Sequence, residues 1–139
     1  MRYFCKEHHI IMNKKLITTA AILGIIAIVL GAFGAHALKK VLSVEELATF
    51  ETGVRYQMYH ALFLLCLGSI ISISEKAKKT IHALVISGVV LFSGSIYALA
   101  TNNLTSFNFK VIGFVTPIGG ALLIAAWAVL FYQNSKKKG

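Results

Sequence analysis

Apolar residues run almost unbroken through four stretches of this chain: Leu16 to Leu38, about Tyr56 to Ile73, Ile81 to Ala100 and Val111 to Tyr132. Each is close to the roughly 20 residues a helix needs to cross about 30 Å of hydrocarbon. None shows the two-residue alternation of lipid-facing strands, and a helix satisfies its own backbone hydrogen bonds. The pattern predicts an all-α fold, an integral membrane four-helix transmembrane bundle. Residues 1–15 form a lead, 16–132 the membrane domain and 133–139 a basic tail. Ser43-Val44-Glu45-Glu46 has the spacing of a capping box, so a helix should open at Ser43. Val44, Leu47, Phe50, Val54 and Met58 recur at three- and four-residue steps. They predict an amphipathic extension before the second span, lying on the outer interface.

Composition agrees with this class. The 139 residues are 57% hydrophobic and 14% charged, against roughly 45–50% and about 25% in soluble domains. The net charge of +9 does not indicate nucleic acid, because the basic residues sit in small groups between and beyond the spans. Arg2, Lys6, Lys14 and Lys15, then Lys76, Lys78 and Lys79, then Lys136, Lys137 and Lys138 make ten on one side. Lys39, Lys40, Arg55 and Lys110 make four on the other. The asymmetry predicts both termini in the cytoplasm, with residues 39–55 and 101–110 outside. Lys76, Lys78 and Lys79 read as an orienting turn with Glu75.

Met1 to Ile11 lies outside the apolar pattern and reads as an upstream start or an unstructured lead before Met12. His8 and His9 there are weak metal candidates. Ala35-His36-Ala37 imitates a signal-peptide cleavage site, but the preceding run exceeds the usual 7–15 apolar residues of such a signal. Cys5 is expected in the cytoplasm and Cys66 buried in the second span, so no disulfide is predicted.

Candidate chemistry collects toward one end of each span. Ala27, Gly31 and Ala35 repeat along one face of the first, a small-residue seam beside Gly34 and His36. The second opens Tyr56-Gln57-Met58-Tyr59-His60, with Gly53, Gln57, His60, Ala61, Leu64 and Gly68 on one face. The third carries Ser93-Gly94-Ser95-Ile96-Tyr97, and the fourth Thr116-Pro117-Ile118-Gly119-Gly120. Counting at about 1.5 Å per residue from the span ends puts His36, His60, Tyr97 and Thr116 all in the outer leaflet. The predicted polar cluster is His36, Tyr56, His60, Ser93, Ser95, Tyr97 and Thr116. Gly31, Gly34, Gly94, Pro117, Gly119 and Gly120 pack or bend helices, with Pro117 bending the fourth. Tyr56, Tyr59 and Tyr97 also suit the role of interfacial anchors. No metal site and no cofactor are predicted, because no third ligand accompanies the two histidines by spacing.

The ordered set G-A-F-G-A-H-A-L-K, Y-x-M-Y-H-A, F-S-G-S-x-Y and T-P-x-G-G resembles domain-of-unknown-function family 423, also called uncharacterised protein family 0382. The likeness covers roughly Leu16 to Leu130. It implies a four-helix inner-membrane protein of bacteria and carries no activity, cofactor or active-site residue to transfer. The expected function is non-enzymatic, since no intramembrane Asp or Glu and no nucleophile–base pair is present. The polar cluster either packs helices or binds a lipid or small apolar molecule. The alternative is a subunit of an oligomeric small-solute or proton carrier or channel, with His36 and His60 assisting passage. Expected partners are membrane lipids, and a second copy or another membrane protein; nucleic acid is not expected.

Overall fold

A computed structural model describes residues 2–136, with side chains from Ile10 onward except Ile11. His8, His9, Cys5 and the last two tail lysines, Lys137 and Lys138, therefore lie outside the described side chains. Among the described residues there are four α-helices: α1, Arg2–His36; α2, Val44–Ser69; α3, Glu75–Ala100; and α4, Val115–Lys136. The lead is thus not an unstructured preface, because its backbone continues α1 without a break.

Helices α1 and α2 form one antiparallel hairpin and α3 and α4 another, and the two hairpins meet through α2 and α3. Helix α4 leans on α3 and is not closely packed on α2. The main core joins Leu16, Leu64, Leu67, Ile81, Val85, Leu123 and Ala126, and a smaller cluster joins Leu38, Phe50 and Ala100. The predicted face of α2 is the buried one: Gly53, Gln57, His60, Ala61, Leu64 and Gly68 all point inward.

The capping box forms as expected. Ser43 Oγ accepts from the Glu46 N–H at 3.1 Å, and the Ser43 N–H donates to Glu46 Oε2 at 2.8 Å. The amphipathic stripe that follows faces neighbouring helices. Phe50 is buried against Leu38 and Ala100, flanked by Leu47 and Val54, and only Val44 projects fully. The stripe is apolar because it packs on the ends of α1 and α3.

Among the described residues, three segments are long and apolar enough to cross a membrane: Met12–Lys40, Glu75–Ala100 and Phe109–Lys136. Helix α2 is not among them. Its first three turns carry Glu45, Glu46, Glu51 and Arg55, and it ends at Ser69 rather than Ile73. Residues 56–69 thus give only about 21 Å of apolar helix. Ile73 lies in the following turn and plugs the core. Cys66, expected to be buried, is exposed on α2. Helix α3 opens earlier than expected, because Ser74 caps it by accepting from the Ala77 N–H at 3.3 Å.

That early start buries Lys78, which is not part of an orienting turn. It is fully enclosed, and its Nζ donates to Asn13 Oδ1 of α1 at 2.6 Å. One turn on, His82 Nε2 meets Thr19 Oγ1 at 2.9 Å. Both bonds tie α1 to α3 at the Lys76 end of the bundle.

Candidate functional site

Toward the other end, the His36 end, each polar side chain that turns inward finds a partner on a neighbouring helix. Gln57 sits between three helices and is 3% exposed. Its Nε2 donates to the Leu23 carbonyl of α1 at 2.9 Å, and its Oε1 accepts from the Tyr97 hydroxyl of α3 at 2.8 Å. Tyr97 is consequently no interfacial anchor: its ring packs on Phe50 at 5.0 Å and its hydroxyl is spent inside. Ser93 Oγ donates to the Gly53 carbonyl at 2.8 Å. Gly53 must lack a side chain, since a Cβ there would meet the Tyr97 ring at 2.7 Å.

The second hairpin is braced similarly. Ser95 Oγ and Thr116 Oγ1 lie 2.6 Å apart, joining α3 to the first turn of α4. A Cβ on Gly119 would come within 2.7 Å of the Leu91 carbonyl carbon and 2.8 Å of Phe92 Cα, so backbone passes backbone there. Pro117 does not bend α4. It occupies the first turn, where its missing N–H has no intrahelical acceptor to lose.

His60 is 4% exposed and both ring nitrogens are occupied. The Trp127 indole N–H points at its Nε2 at 3.3 Å, which makes Nε2 the acceptor and leaves the proton on Nδ1, 2.7 Å from the Tyr56 carbonyl. A neutral imidazole thus bridges α2 to α4. Trp127 also stacks on Phe63 at 4.2 Å. Beside this bridge, between α2 and α4, a cleft of about 320 Å³ is lined by Tyr56, His60, Phe92, Gly120, Leu123, Ile124 and Trp127. Its walls are aromatic and aliphatic, and no charged side chain faces it. The volume is at the lower end of the range for small-molecule sites.

The seven cluster residues therefore do not form one site. Gln57, Tyr97 and Ser93 make one linked brace between α2 and α3, and Ser95 with Thr116 makes another between α3 and α4; Tyr56 and His60 line the cleft. His36 joins none of these, being exposed at the last turn of α1. Gly31 and Gly34 lie against Val54 and the Phe50 ring, whereas Ala35 of the seam is exposed. Gly94 packs nothing: its missing side chain faces open space. Gly120 meets the Phe92 ring at ordinary contact distance.

The depth reading also changes. Because α2 runs beside its neighbours from Val44, Tyr56 is not a boundary. Gly53 lies level with Ser93, about 10 Å below the Ala100 end of α3. Trp127 is about 18 Å from the Val115 end of α4, a helix about 33 Å long. His60 and Trp127 consequently lie near the middle of α3 and α4, deeper than the outer-leaflet position counted for His60 from Tyr56.

Two participants went unselected from sequence. Gln57 lay on the predicted buried face, and an amide with two apolar turns after it was the signal. Trp127 resembled any lipid-facing aromatic, and nothing local marked it as the partner of His60.

Fold and site define a small integral-membrane helical bundle, braced by interhelical side-chain hydrogen bonds around an apolar cleft. The chain belongs to the family described as "Protein of unknown function (DUF423)", whose sequence profile matches residues 30–120. Relatives cover nearly the whole of it. A UPF0382 membrane protein of Staphylococcus saprophyticus is 39% identical over 88% of this chain and 98% of its own length. One from Haemophilus influenzae is 37% identical over 91% and 98%, and the UPF0382 inner membrane protein YgdD of Escherichia coli is 36% identical over 91% and 95%. No solved structure matches.

Proposed function

We propose that this protein is a non-enzymatic, multi-pass protein of the bacterial inner membrane, both termini cytoplasmic, that holds an acyl chain or similar apolar molecule in the cleft between α2 and α4. The cleft itself carries this reading. It is bounded by α2, α3 and α4, has no charged residue among those that line it, and opens between α2 and α4, which touch through Trp127 against His60 and Phe63. The cross-braces fix its walls: Gln57 and Ser93 lock α2 to α3, and Ser95 with Gly119 locks α4 to α3. Nine basic residues against four, leaving out the buried Lys78, support the orientation, with the His36 end outward.

A proton-carrying role for His60 has less support, since Trp127 and the Tyr56 carbonyl occupy its two nitrogens. His36 lies apart from it, exposed at the end of α1. An acyl chain needs no such group.

Native mass spectrometry of the protein extracted with its own lipids tests the proposal. The wild type is expected to keep a bound lipid or apolar molecule that Gly120→Leu and Ile124→Trp, which fill the cleft from one wall, both expel without loss of helicity. Identical adducts in all three proteins would overturn it.

A further inference from the structure

The face of α2 turned away from the core repeats at alternating three- and four-residue steps: Ala48, Glu51, Arg55, Met58, Leu62 and Leu65. All are exposed except Met58, which is half-buried. Met58, Leu62 and Leu65 form one wall of a second groove, of about 360 Å³, whose other wall is α1 with Ala21, Gly24 and Ile28. Every residue that lines it is apolar or glycine. By helical spacing it lies across α2 from Tyr56 and His60 of the cleft. A Cβ on Gly24 would meet nothing, so α1 is thin beside the groove and another helix can come close there.

Arg55 and Glu51 continue the same face one and two turns beyond Met58. No ion pair joins them among the described residues. Arg55 donates only from Nε to the Glu51 carbonyl at 3.5 Å, and the Glu51 carboxylate accepts no hydrogen bond. Helix α2 packs between α1 and α3, both of them apolar enough to cross a membrane, yet α2 itself falls short of that. Its outward face is therefore poorly matched to lipid. An apolar seam with opposite charges at one end is instead what a partner helix meets, the charges setting which partner fits and in which direction.

We propose that this face is the interface of a homodimer, the α2 helices of two copies running parallel about a two-fold axis, with Glu51 of each copy paired to the partner's Arg55. In a two-fold interface the same patch meets itself, so the patch has to be self-complementary. This one is. At 3.6 residues per turn, Glu51 and Arg55 stand about 20° to either side of the line through Leu62. A two-fold rotation exchanges those sides and brings Arg55 of one copy to the side of the partner's Glu51, offset along the helix by one turn, about 6 Å. The long arginine stem spans that offset and its guanidinium meets a carboxylate through parallel donors. The two pairs close a ring of four alternating charges. Beyond the ring, the exposed Leu62 and Leu65 of each copy fill the partner's α1–α2 groove beside Gly24. The α2–α4 cleft stays open in this dimer, so the inference is independent of the acyl-chain reading.

Native mass spectrometry of the full chain in mild detergent reads the dimer, and the melting temperature reads folding. The wild type is expected to be dimeric. Glu51→Arg and Arg55→Glu each set like charges across the axis and should weaken the dimer by about tenfold or more. Mixed in equal amounts, the two variants should recover dimers, each holding one copy of either kind, because one brings two arginines and the other two glutamates. The double variant, Glu51→Arg with Arg55→Glu, should dimerise as the wild type does. Charges that act only within their own helix give no recovery on mixing. Gly24→Leu fills the groove with the charges intact, and should weaken the dimer by a similar factor at an unchanged melting temperature. A monomeric wild type, single charge variants that dimerise like the wild type, or a mixture that stays monomeric overturns the proposal. Should a charge variant fail to fold, Gly24→Leu decides, and an undiminished dimer there overturns it.

Discussion

Gln57 holds three helices with one side chain, so Gln57→Met should be costly even though it keeps the volume. It removes two interhelical hydrogen bonds and strands the Tyr97 hydroxyl. Interhelical bonds in membranes are individually worth about 0.6 kcal/mol, and a stranded buried group adds about 1–3 kcal/mol. Reversible unfolding in mixed micelles should register a loss of about 1–3 kcal/mol on that basis. The glycines make a paired test. Gly119→Ala has no room against the α3 backbone and is expected to cost about 1–3 kcal/mol. Gly94→Ala faces open space in a helix interior and should be neutral or stabilise by about 0.5–1 kcal/mol. At this scale the sequence was partly legible. Gly34 and Gly119 could be read as packing residues from their small neighbours, but Gly94, in an equally suggestive Ser-Gly-Ser, could not be told from them. Which way a helix turns is set by its partners, and Gly94 happens to face away.

The start of α2 was a readable helix end, whereas the end of α2 and the start of α3 were not. The Ser43–Glu46 box was visible as a spacing and forms as one, and it responds to acid in a defined direction. The Ser43 backbone N–H donating to its carboxylate holds Glu46 below the ordinary value of 4.5. A carboxylate lowered on folding contributes stability that is complete above the unfolded value and is lost as pH falls through the lowered one. The Ser43 amide resonance, followed by NMR in detergent, should therefore hold its position above pH 4.5, move below it, and not move at all in Glu46→Gln. Pro117 shows why the interior of an element is harder to read than its cap. A proline among glycines suggests a kink, but the sense of the residue depends on where the helix starts. With α4 opening at Val115, Pro117→Ala is expected to change stability by less than about 1 kcal/mol and to leave the helix straight, checked by melting and by Cys–Cys distances along α4. Helix α3 starts at Glu75, ahead of its apolar run, and that is how Lys78 came to be buried.

For the whole molecule, the class was open to reading from the length and continuity of the apolar runs. The relation between the hairpins was not. Hydropathy placed the second crossing at Tyr56, but α2 begins alongside its neighbours at Val44. That offset moves His60 from the outer-leaflet position counted from Tyr56 to the middle of the bundle, next to a tryptophan that no local motif marks. The proposed orientation is open to cysteine labelling: Ser43→Cys should react with an impermeant reagent on intact spheroplasts, and Ser135→Cys only after they are opened.

The account depends most on an acyl chain lying against Trp127 near the bilayer middle. Trp127 is the only tryptophan, so its fluorescence reports on that place alone. In vesicles of phospholipids brominated at successive positions along the chain, quenching should be greatest for bromines well down the chain. Part of it should disappear in Gly120→Leu, which closes the cleft but leaves the exposed side of the indole in lipid. Maximal quenching by bromines next to the glycerol, or equal quenching in both proteins at every position, would contradict the account.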